Sequence, residues 1–279
     1  NNYLVYNGST LVPVVPYIPT IMISTVPTTG VGEVFEDFNL IGAGFKQLFS
    51  GDNTATIYSL ALKGLDATNP IVYVNGVQQT TGWTFNATNG TVTFTTAPST
   101  GTNNVEITAY KTFSGFSNRI KNCTFAMTFG GTNDTRVFVS GNSSYPHQMW
   151  RSGLYRPDYF PETGFYQVGT QDSPINGFSK QYNSMVVFKD ASIFSVNYDI
   201  DPETGEGTFP LKPINDQTGA YAKNTIAIVK NEPTFLDRSG VYSLNQSNVK
   251  DERNVRLLST KIEDLLLFEI SLKDAIAID

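Results

Sequence analysis

The sequence has little of the chemistry on which enzymes and metal proteins usually depend. Its 279 residues include one cysteine and one histidine, and only 16% of them are charged. A single cysteine, Cys123, excludes an intrachain disulfide framework and any site built from several cysteines. Because a lone cysteine is commonly a small buried hydrophobe, we expect Cys123 to pack within a strand and not to act as a nucleophile.

An excess of positive charge and a long apolar run are also missing. The net charge is −6 and the pI is about 4.9, so the chain offers no basic surface to a phosphate backbone. Sequence-independent binding of nucleic acid is therefore disfavoured, and no sequence-specific nucleic-acid partner is expected. No apolar run approaches the ~18 residues of a membrane-spanning helix, so no membrane span is predicted. The chain begins without methionine, and we expect it to be a fragment of a longer protein.

Aromatic residues and turn formers are abundant. The sequence has 19 Phe and 14 Tyr, residue types that favour strands over helices, and it has 23 Gly and 14 Pro to punctuate turns. Much of its polarity comes from uncharged Thr, Asn and Ser. This composition predicts an all-β protein.

A repeated hairpin pattern is the strongest internal signal. Tyr3–Val14 aligns without gaps on Met185–Val196, because each segment has an apolar strand, turn residues and a second apolar strand. Longer and weaker copies are Thr234–Leu244 and Arg136–Asn142. The anchoring aromatics of the last three copies lie about 50 residues apart, a period typical of propeller blades. We therefore predict a partial β-propeller, and equivalent blade positions for Tyr3–Val14 and Met185–Val196.

The spacing between the first two copies is too long, and an inserted domain explains the excess. Residues 45–112 contain several segments that alternate apolar and polar residues, with two Asn-Gly pairs, Asn75-Gly76 and Asn89-Gly90, typical of type I′ turns. We predict an immunoglobulin-like β-sandwich at 45–112 and discontinuous, incomplete propeller blades at 1–44 and 113–279. The strands expected in the insertion are Thr54–Leu62, Ile71–Val74, Thr84–Asn86, Thr91–Thr95 and Val105–Lys111.

One helix is predicted near the end of the chain. Thr260 and Glu263 have the spacing of a capping box, and Ile262, Leu265 and Leu266 fall on one helical face. The helix would end a blade or cross between two blades.

Several motifs resemble those of a group of bacteriophage virion proteins in which a propeller is interrupted by a sandwich domain. The group includes tail nozzle, tail-hub and stabilisation proteins of short-tailed phages, whose propellers ring the channel through which DNA leaves the capsid. The motifs are structural, and none is a catalytic signature. They are Pro16–Thr20, Gly30–Gly32, Asn39-Leu40, Ile71–Val77, Gly90–Pro98, Arg136–Asn142, Tyr159–Pro161, Val168-Gly169, Ile175–Gly177 and Val255–Ser259.

The sequence contains few candidate residues for a functional site. His147 is interpreted as a loop histidine packed beside Trp150, although Asp158 or Asp172 could approach it to form a relay. The acidic residues Asp199, Asp201, Glu203 and Glu206 form a weak candidate calcium site, since Ca²⁺ prefers oxygen ligands in flexible loops. The alternative for this loop is a solvated hairpin tip.

A run of aromatic residues is the other candidate. These side chains could stack on sugars, but more often such a run fills the gap between blades. Its members are Tyr155, Tyr159, Phe160, Phe165 and Tyr166.

The resemblance implies a non-enzymatic structural component of a phage tail or neck, made in the host cytoplasm and located in the virion. It implies a homo-oligomeric ring, with a hexamer favoured, and partners such as an adaptor or portal ring and neighbouring tail proteins. We expect no cofactor, no bound metal and no catalytic residue. The alternatives are a receptor- or carbohydrate-binding module and, less favoured, a propeller glycosidase.

Overall fold

The protein is all-β, as its composition predicts. A computed structural model describes residues 3–132, 134–245, 254–269 and 271–277. The chain forms two compact units, one of Asn1–Lys121 with Asp158–Thr163, and one of Asn122–Pro157 with Gly164–Asp279. In the described residues, no helix is long and apolar enough to cross a membrane.

The first unit contains a two-stranded, a three-stranded and a six-stranded sheet. The small sheets have the orders β1-β2 and β6-β10-β9, and the large one has the order β4-β3-β5-β11-β7-β8 with β3 parallel to β5. The elements are β1 Leu4–Tyr6, β2 Leu11–Pro13, β3 Thr20–Thr25, β4 Glu33–Val34, β5 Gly44–Gly51, β6 Ile57–Ser59, β7 Ile71–Val74, β8 Val77–Gln78, β9 Trp83–Asn86, β10 Thr91–Phe94, β11 Gly101–Tyr110 and α1 Phe116–Lys121.

The three-stranded and six-stranded sheets share one apolar core. Strand β5 alternates partly buried and buried residues along its whole length, because successive side chains of a strand point to opposite faces. Its Phe45 and Phe49 are fully buried, and the ring of Phe49 packs edge-to-face on Tyr58 of β6 at a centroid distance of 5.3 Å. The core is completed by β3, β7, β10 and β11.

The sequence predicts where the strands of this unit lie better than it predicts where the unit begins and ends. Each of the five strands expected between residues 45 and 112 is present, but the strand expected over Thr54–Leu62 is limited to Ile57–Ser59, and the last strand begins at Gly101 and not at Val105. The unit also includes β3 and β4, which lie in the segment 1–44 that the hairpin repeat assigns to the propeller. Alternation of apolar residues identifies a strand but does not identify its neighbour, and β3 pairs with β5.

Only one of the two Asn-Gly pairs forms the predicted turn. Asn75 and Gly76 both have positive φ, 49° and 76°, and they join β7 to β8 as a two-residue type I′ hairpin. At the second pair only Gly90 has positive φ, and the loop between β9 and β10 has four residues. The Asn86 Oδ1 accepts a hydrogen bond from the Asn89 N–H and stabilises this longer loop.

Gly90→Ala should lower the free energy of unfolding of the first unit by about 3 kcal/mol, whereas Gly76→Ala should lower it by about 1 kcal/mol. Both glycines have positive φ, so both substitutions add backbone strain. A Cβ at Gly90 would also overlap the Leu62 carbonyl, whereas a Cβ at Gly76 meets no atom within 4 Å. Denaturant unfolding of the two variants measures the difference, and equal losses would contradict the role assigned to the close approach.

The second unit contains three antiparallel four-stranded sheets and a small hairpin. The sheet orders are β12-β13-β14-β15, β16-β17-β18-β21 and β22-β23-β24-β25, and the hairpin β19-β20 lies between β18 and β21 in the chain. The elements are β12 Phe125–Gly131, β13 Asp134–Ser140, β14 Gln148–Arg151, β15 Phe165–Gln167, β16 Ile175–Gln181, β17 Ser184–Lys189, β18 Ile193–Asn197, β19 Asp199–Ile200, β20 Gly207–Thr208, β21 Leu211–Asn215, β22 Ala227–Val229, β23 Glu232–Asp237, β24 Gly240–Leu244, β25 Val255–Leu257, α2 Glu263–Leu267 and a 3-10 helix Leu272–Asp274.

The middle sheet is buried on both faces. Met185 and Val187 of β17 belong to a core shared with the first of these sheets, and Val186 and Phe188 belong to a core shared with the third. Because side chains alternate along a strand, a strand packed on both faces is a nearly continuous apolar run. That explains the sequence Met185–Phe188, in which every side chain is fully buried.

The repeat holds for three of its four copies. Phe138, Phe188 and Phe235 each lie fully buried on the second strand of their own four-stranded sheet. The predicted equivalence of Tyr3–Val14 and Met185–Val196 is contradicted, since β1 and β2 pair only with each other and belong to the first unit. The pattern specifies a hairpin, but Tyr6 is 63% exposed and no third strand of the described residues joins the pair.

The C-terminal helix is present but is not capped as predicted. Ile262, not Thr260, is the N-cap residue of α2, and it makes no side-chain capping hydrogen bond. The Ile262 N–H donates to the Ser259 carbonyl, so a turn places Thr260 before the helix. Of the three apolar residues expected on one face, Leu266 packs with Leu236 and Leu272 on the third sheet of the unit.

Candidate functional site

The structure does not assemble the candidate calcium site. Asp199 begins the exposed hairpin β19-β20, and the Asp201 Oδ1 accepts hydrogen bonds from the backbone N–H groups of Glu203 and Thr204, which holds the turn closed. Glu203 and Glu206 are exposed in that turn. Across the residues that the structure describes, no group of three or more His, Cys, Asp or Glu side chains is placed to hold a metal ion. The loop has the form of the alternative, an exposed hairpin tip.

His147 is almost completely buried in the loop before β14. It is 9% exposed, and among the described residues neither ring nitrogen has a hydrogen-bond partner. His147 therefore forms no relay with a carboxylate among the described residues. The Tyr145 ring packs edge-to-face on Trp150 at a centroid distance of 5.8 Å.

Cys123 lies two residues before β12, not within a strand as predicted. It is partly buried, and burial raises the pKa of its thiol to about 12. A thiol that stays protonated at neutral pH is a poor nucleophile, because the thiolate is the reactive form.

The structure divides the aromatic run between the two units. Phe160 is fully buried, and the Tyr159 hydroxyl donates to the Asp37 carbonyl within the first unit. In the second unit, Tyr166 packs against the core that β12 and β17 share, and the Tyr155 hydroxyl donates to the Thr132 carbonyl. Phe165 is 42% exposed and belongs to β15. Four of the five side chains are therefore held by packing or by a hydrogen bond, each within its own unit.

Three of the motifs behind the phage resemblance meet at one buried asparagine. Asn39 is 3% exposed, and its Nδ2 donates to the carbonyls of Tyr17 and Asp158 at 2.9 and 2.8 Å. Its Oδ1 accepts from the N–H groups of Ile41 and Phe160. Asn39 therefore ties Asp158–Thr163 to the first unit, a role that sequence analysis missed because the partners are 119 residues apart.

A buried lysine also escaped the sequence analysis. Lys189 at the end of β17 is 1% exposed, and its Nζ donates to the carbonyls of Val168 and Thr170. Burial lowers the pKa of its amino group. Both bonds go to backbone carbonyls, so the lysine fixes the chain after β15 against the second sheet of the unit.

Tyr58 of β6 has a buried hydroxyl without a partner in the described structure. Burial, with a smaller contribution from Asp52, raises the pKa of Tyr58 to about 12. An unfolded tyrosine has a pKa of about 10, so folding favours the protonated form of the Tyr58 hydroxyl. The resulting stabilisation is complete below about pH 10 and is lost as the pH rises towards 12.

We expect Tyr58→Phe to keep or slightly raise the stability of the first unit at neutral pH, because it removes an unsatisfied hydroxyl worth about 1 kcal/mol. Between about pH 10 and 12 the variant should lose less stability than the parent protein, since it has no phenol to ionise. Urea unfolding at a series of alkaline pH values measures this. Parallel losses in the two proteins would show that Tyr58 is not a source of alkaline destabilisation.

The second unit has an open, polar cavity of about 560 Å³. It lies beside the ends of the hairpins β12-β13 and β16-β17, with Tyr198 in its wall. The lining includes the hydroxyls of Thr128, Thr132 and Thr135, the Asn183 amide and the Lys180 amine. None of these side chains, nor the Tyr198 hydroxyl, forms a hydrogen bond or ion pair with another described residue.

Glycines hold the Tyr198 ring in place. A Cβ at Gly131 would overlap one edge of this ring, and a Cβ at Gly207 would lie 2.8 Å from the opposite edge. The ring also packs on Phe209 at a centroid distance of 5.7 Å. Tyr198 is therefore a fixed wall of the cavity and not a mobile side chain.

Comparison with known proteins adds no identity. No protein-family model matches the chain, and no curated protein is significantly similar to it.

Proposed function

We propose that this protein is a non-enzymatic structural component of a bacteriophage tail or neck, and that it acts by assembling into a ring around the DNA exit channel. The virion, with synthesis in the bacterial cytoplasm, is the proposed location. An adaptor or portal ring and neighbouring tail proteins are the proposed partners. The sequence resemblance supports the assignment to this family, and exposed apolar surface supports the assembly.

The outer side of α2 carries that surface. Leu266 faces the third sheet of the second unit, but Leu265, Leu267 and Phe268 are 75%, 55% and 85% exposed. Exposed apolar residues placed side by side mark an interaction surface more often than scattered ones do. This exposed cluster, Leu265, Leu267 and Phe268, is the observation that carries the assembly proposal.

The lone hairpin β1-β2 provides a second surface in the first unit. Leu4, Val5 and Tyr6 are all exposed by 40% or more, and Leu11 is 66% exposed. A two-stranded hairpin is marginally stable on its own and gains stability when another surface covers it. The occupant that we propose for these surfaces is a second copy of the chain, because heterologous contacts between identical subunits give a ring when the rotation between neighbours closes. A hexamer is the favoured number.

The finer architecture belongs to the same proposal. Three consecutive four-stranded antiparallel sheets pack through two cores. Propeller blades are also four-stranded antiparallel sheets, and the fold we propose is a partial β-propeller. For the first unit we propose an immunoglobulin-like sandwich of its two larger sheets around one core. The net charge of −6 suits the wall of a DNA channel, because DNA is also negatively charged and would not bind to it.

Mass photometry and electron microscopy of the full-length protein test the assembly. We expect closed rings, most often of six subunits, and we expect Phe268→Asp to abolish them because it places a charge in an apolar contact. Ile200→Asp is the matched control, since Ile200 is 55% exposed on the hairpin β19-β20 and should tolerate the same change. A protein that stays monomeric at all concentrations and joins no virion particle would refute the proposal.

A second candidate function is a receptor- or carbohydrate-binding module. The polar cavity beside Tyr198 favours it, because several uncharged donors and acceptors without partners among the described residues converge there. The two functions are compatible in one virion protein.

A further inference from the structure

We infer that the cavity beside Tyr198 is a binding site for an acidic sugar, meaning a carboxylated monosaccharide at the end of a glycan. The inference rests on the lining of the cavity and does not depend on ring assembly. The volume of about 560 Å³ falls in the range of ligand sites, roughly 300–1,000 Å³, and leaves room for one or two sugar rings.

The polar lining matches a ligand with many hydroxyl groups. Thr128, Thr132 and Thr135 present hydroxyls that both donate and accept, and the Asn183 amide also does both. Sugar hydroxyls have the same double character, so each can pair without a charge on the protein. Because these side chains have no partner among the described residues, a ligand would break no protein hydrogen bond by binding them.

One aromatic wall suits the apolar face of a sugar ring. Tyr198 offers its ring and its unpartnered hydroxyl, and the backbones of Gly131 and Gly207 confine the ring from both edges. A side chain that is already fixed loses little conformational entropy when a ligand binds. Gly131 and Gly207 thus allow the backbone to approach the Tyr198 ring closely, a role separate from turn formation.

The charge of the lining indicates an acidic ligand. Lys180 is the one charged residue among those that line the cavity in the described structure, and it has no ion-pair partner there. The neighbouring Asp134 does not compensate it, because both carboxylate oxygens of Asp134 are bound to Arg136 at 2.8 and 3.0 Å. A carboxylate on the ligand would therefore find an available cation in the lining of an otherwise uncharged polar cavity.

Saturation-transfer NMR with glucuronate, and with glucose as its uncharged counterpart, tests the site. We expect saturable glucuronate binding, at least tenfold tighter than that of glucose. Lys180→Gln should remove the preference for the acid, and Tyr198→Phe should weaken both sugars several-fold by deleting one hydroxyl. Tyr182→Phe is the control, since Tyr182 is 55% exposed in the adjacent turn and does not line the cavity.

Three results would overturn the inference. These are the absence of saturable binding to either sugar, equal affinity for glucose and glucuronate, and binding that survives Lys180→Gln and Tyr198→Phe unchanged. Because the assay uses the protein in any oligomeric state, its outcome is independent of whether rings form.

Discussion

Phe188→Ala is expected to lower the free energy of unfolding of the second unit by about 3–5 kcal/mol, the cost of removing a large aromatic side chain from a packed core. Phe188 is fully buried, and its ring centroid lies 4.9 Å from that of Phe235. It belongs to the core between the second and third four-stranded sheets of the unit. The substitution therefore leaves a cavity where two sheets meet, and the middle sheet cannot move into it without loosening the core on its other face.

The chain offers a matched control and a specific readout for this variant. Phe268→Ala is the same substitution at a position that is 85% exposed, and in the dissociated monomer, where no second copy covers Phe268, it should change stability by less than about 0.5 kcal/mol. The two tryptophans, Trp83 and Trp150, lie in different units, so in a Trp83→Phe background fluorescence reports the second unit through the buried Trp150. If Phe188→Ala and Phe268→Ala had similar effects, the stacked arrangement of the sheets would be in error.

Asn39→Asp should destabilise the first unit by about 3 kcal/mol or more at neutral pH, because leaving buried acceptors unsatisfied costs about 1–3 kcal/mol each and a buried charge adds to that cost. The two carbonyls of Tyr17 and Asp158 accept from the Asn39 Nδ2 in the parent protein. In the variant a carboxylate oxygen would face both carbonyls in a site that is 3% exposed, while the Asp158 carbonyl would keep the hydrogen bond that it accepts from the Tyr17 N–H.

The pH dependence of this variant has a defined sign. Burial beside two carbonyls disfavours the ionised form of the new carboxyl, so the destabilisation should be largest at neutral pH and should diminish as acid protonates the group. Asn89→Asp, at an exposed position of the same unit, is the control and should be nearly neutral. Hydrogen exchange measured by mass spectrometry would localise the effect, with faster exchange expected in Asp158–Thr163. Unchanged exchange in that segment would contradict the anchoring role of Asn39.

Strands and some turns could be predicted because their signals are local. The continuous apolar run Met185–Phe188 indicates a strand buried on both faces, and Asn75-Gly76 indicates a turn whose two residues need positive φ. The period of about 50 residues placed Phe138, Phe188 and Phe235 in corresponding strands because each four-stranded sheet repeats one unit of packing.

The remaining features depend on residues far apart in the sequence. The sequence around β3 does not show whether this strand pairs with β5 or belongs to a propeller blade. Both positions need the same alternation of apolar and polar residues. The cavity beside Tyr198 forms from two hairpin ends and a residue after β18, and its threonines look like ordinary strand residues in the sequence. The acidic residues Asp199, Asp201, Glu203 and Glu206 are close in sequence, but the described residues do not gather three of them around one point, and the Asp201 side chain instead accepts backbone hydrogen bonds in its own turn.

The passage of Asp158–Thr163 through the first unit has a consequence for synthesis on the ribosome. The first unit cannot acquire all its hydrogen bonds until Phe160 has left the exit tunnel, by which time the strands β12, β13 and β14 have also been made. Folding of the N-terminal region is thereby delayed, and a nascent chain that is stalled or cleaved near Lys121 would lack the partners of Asn39. Incomplete chains would expose that polar cluster to proteases.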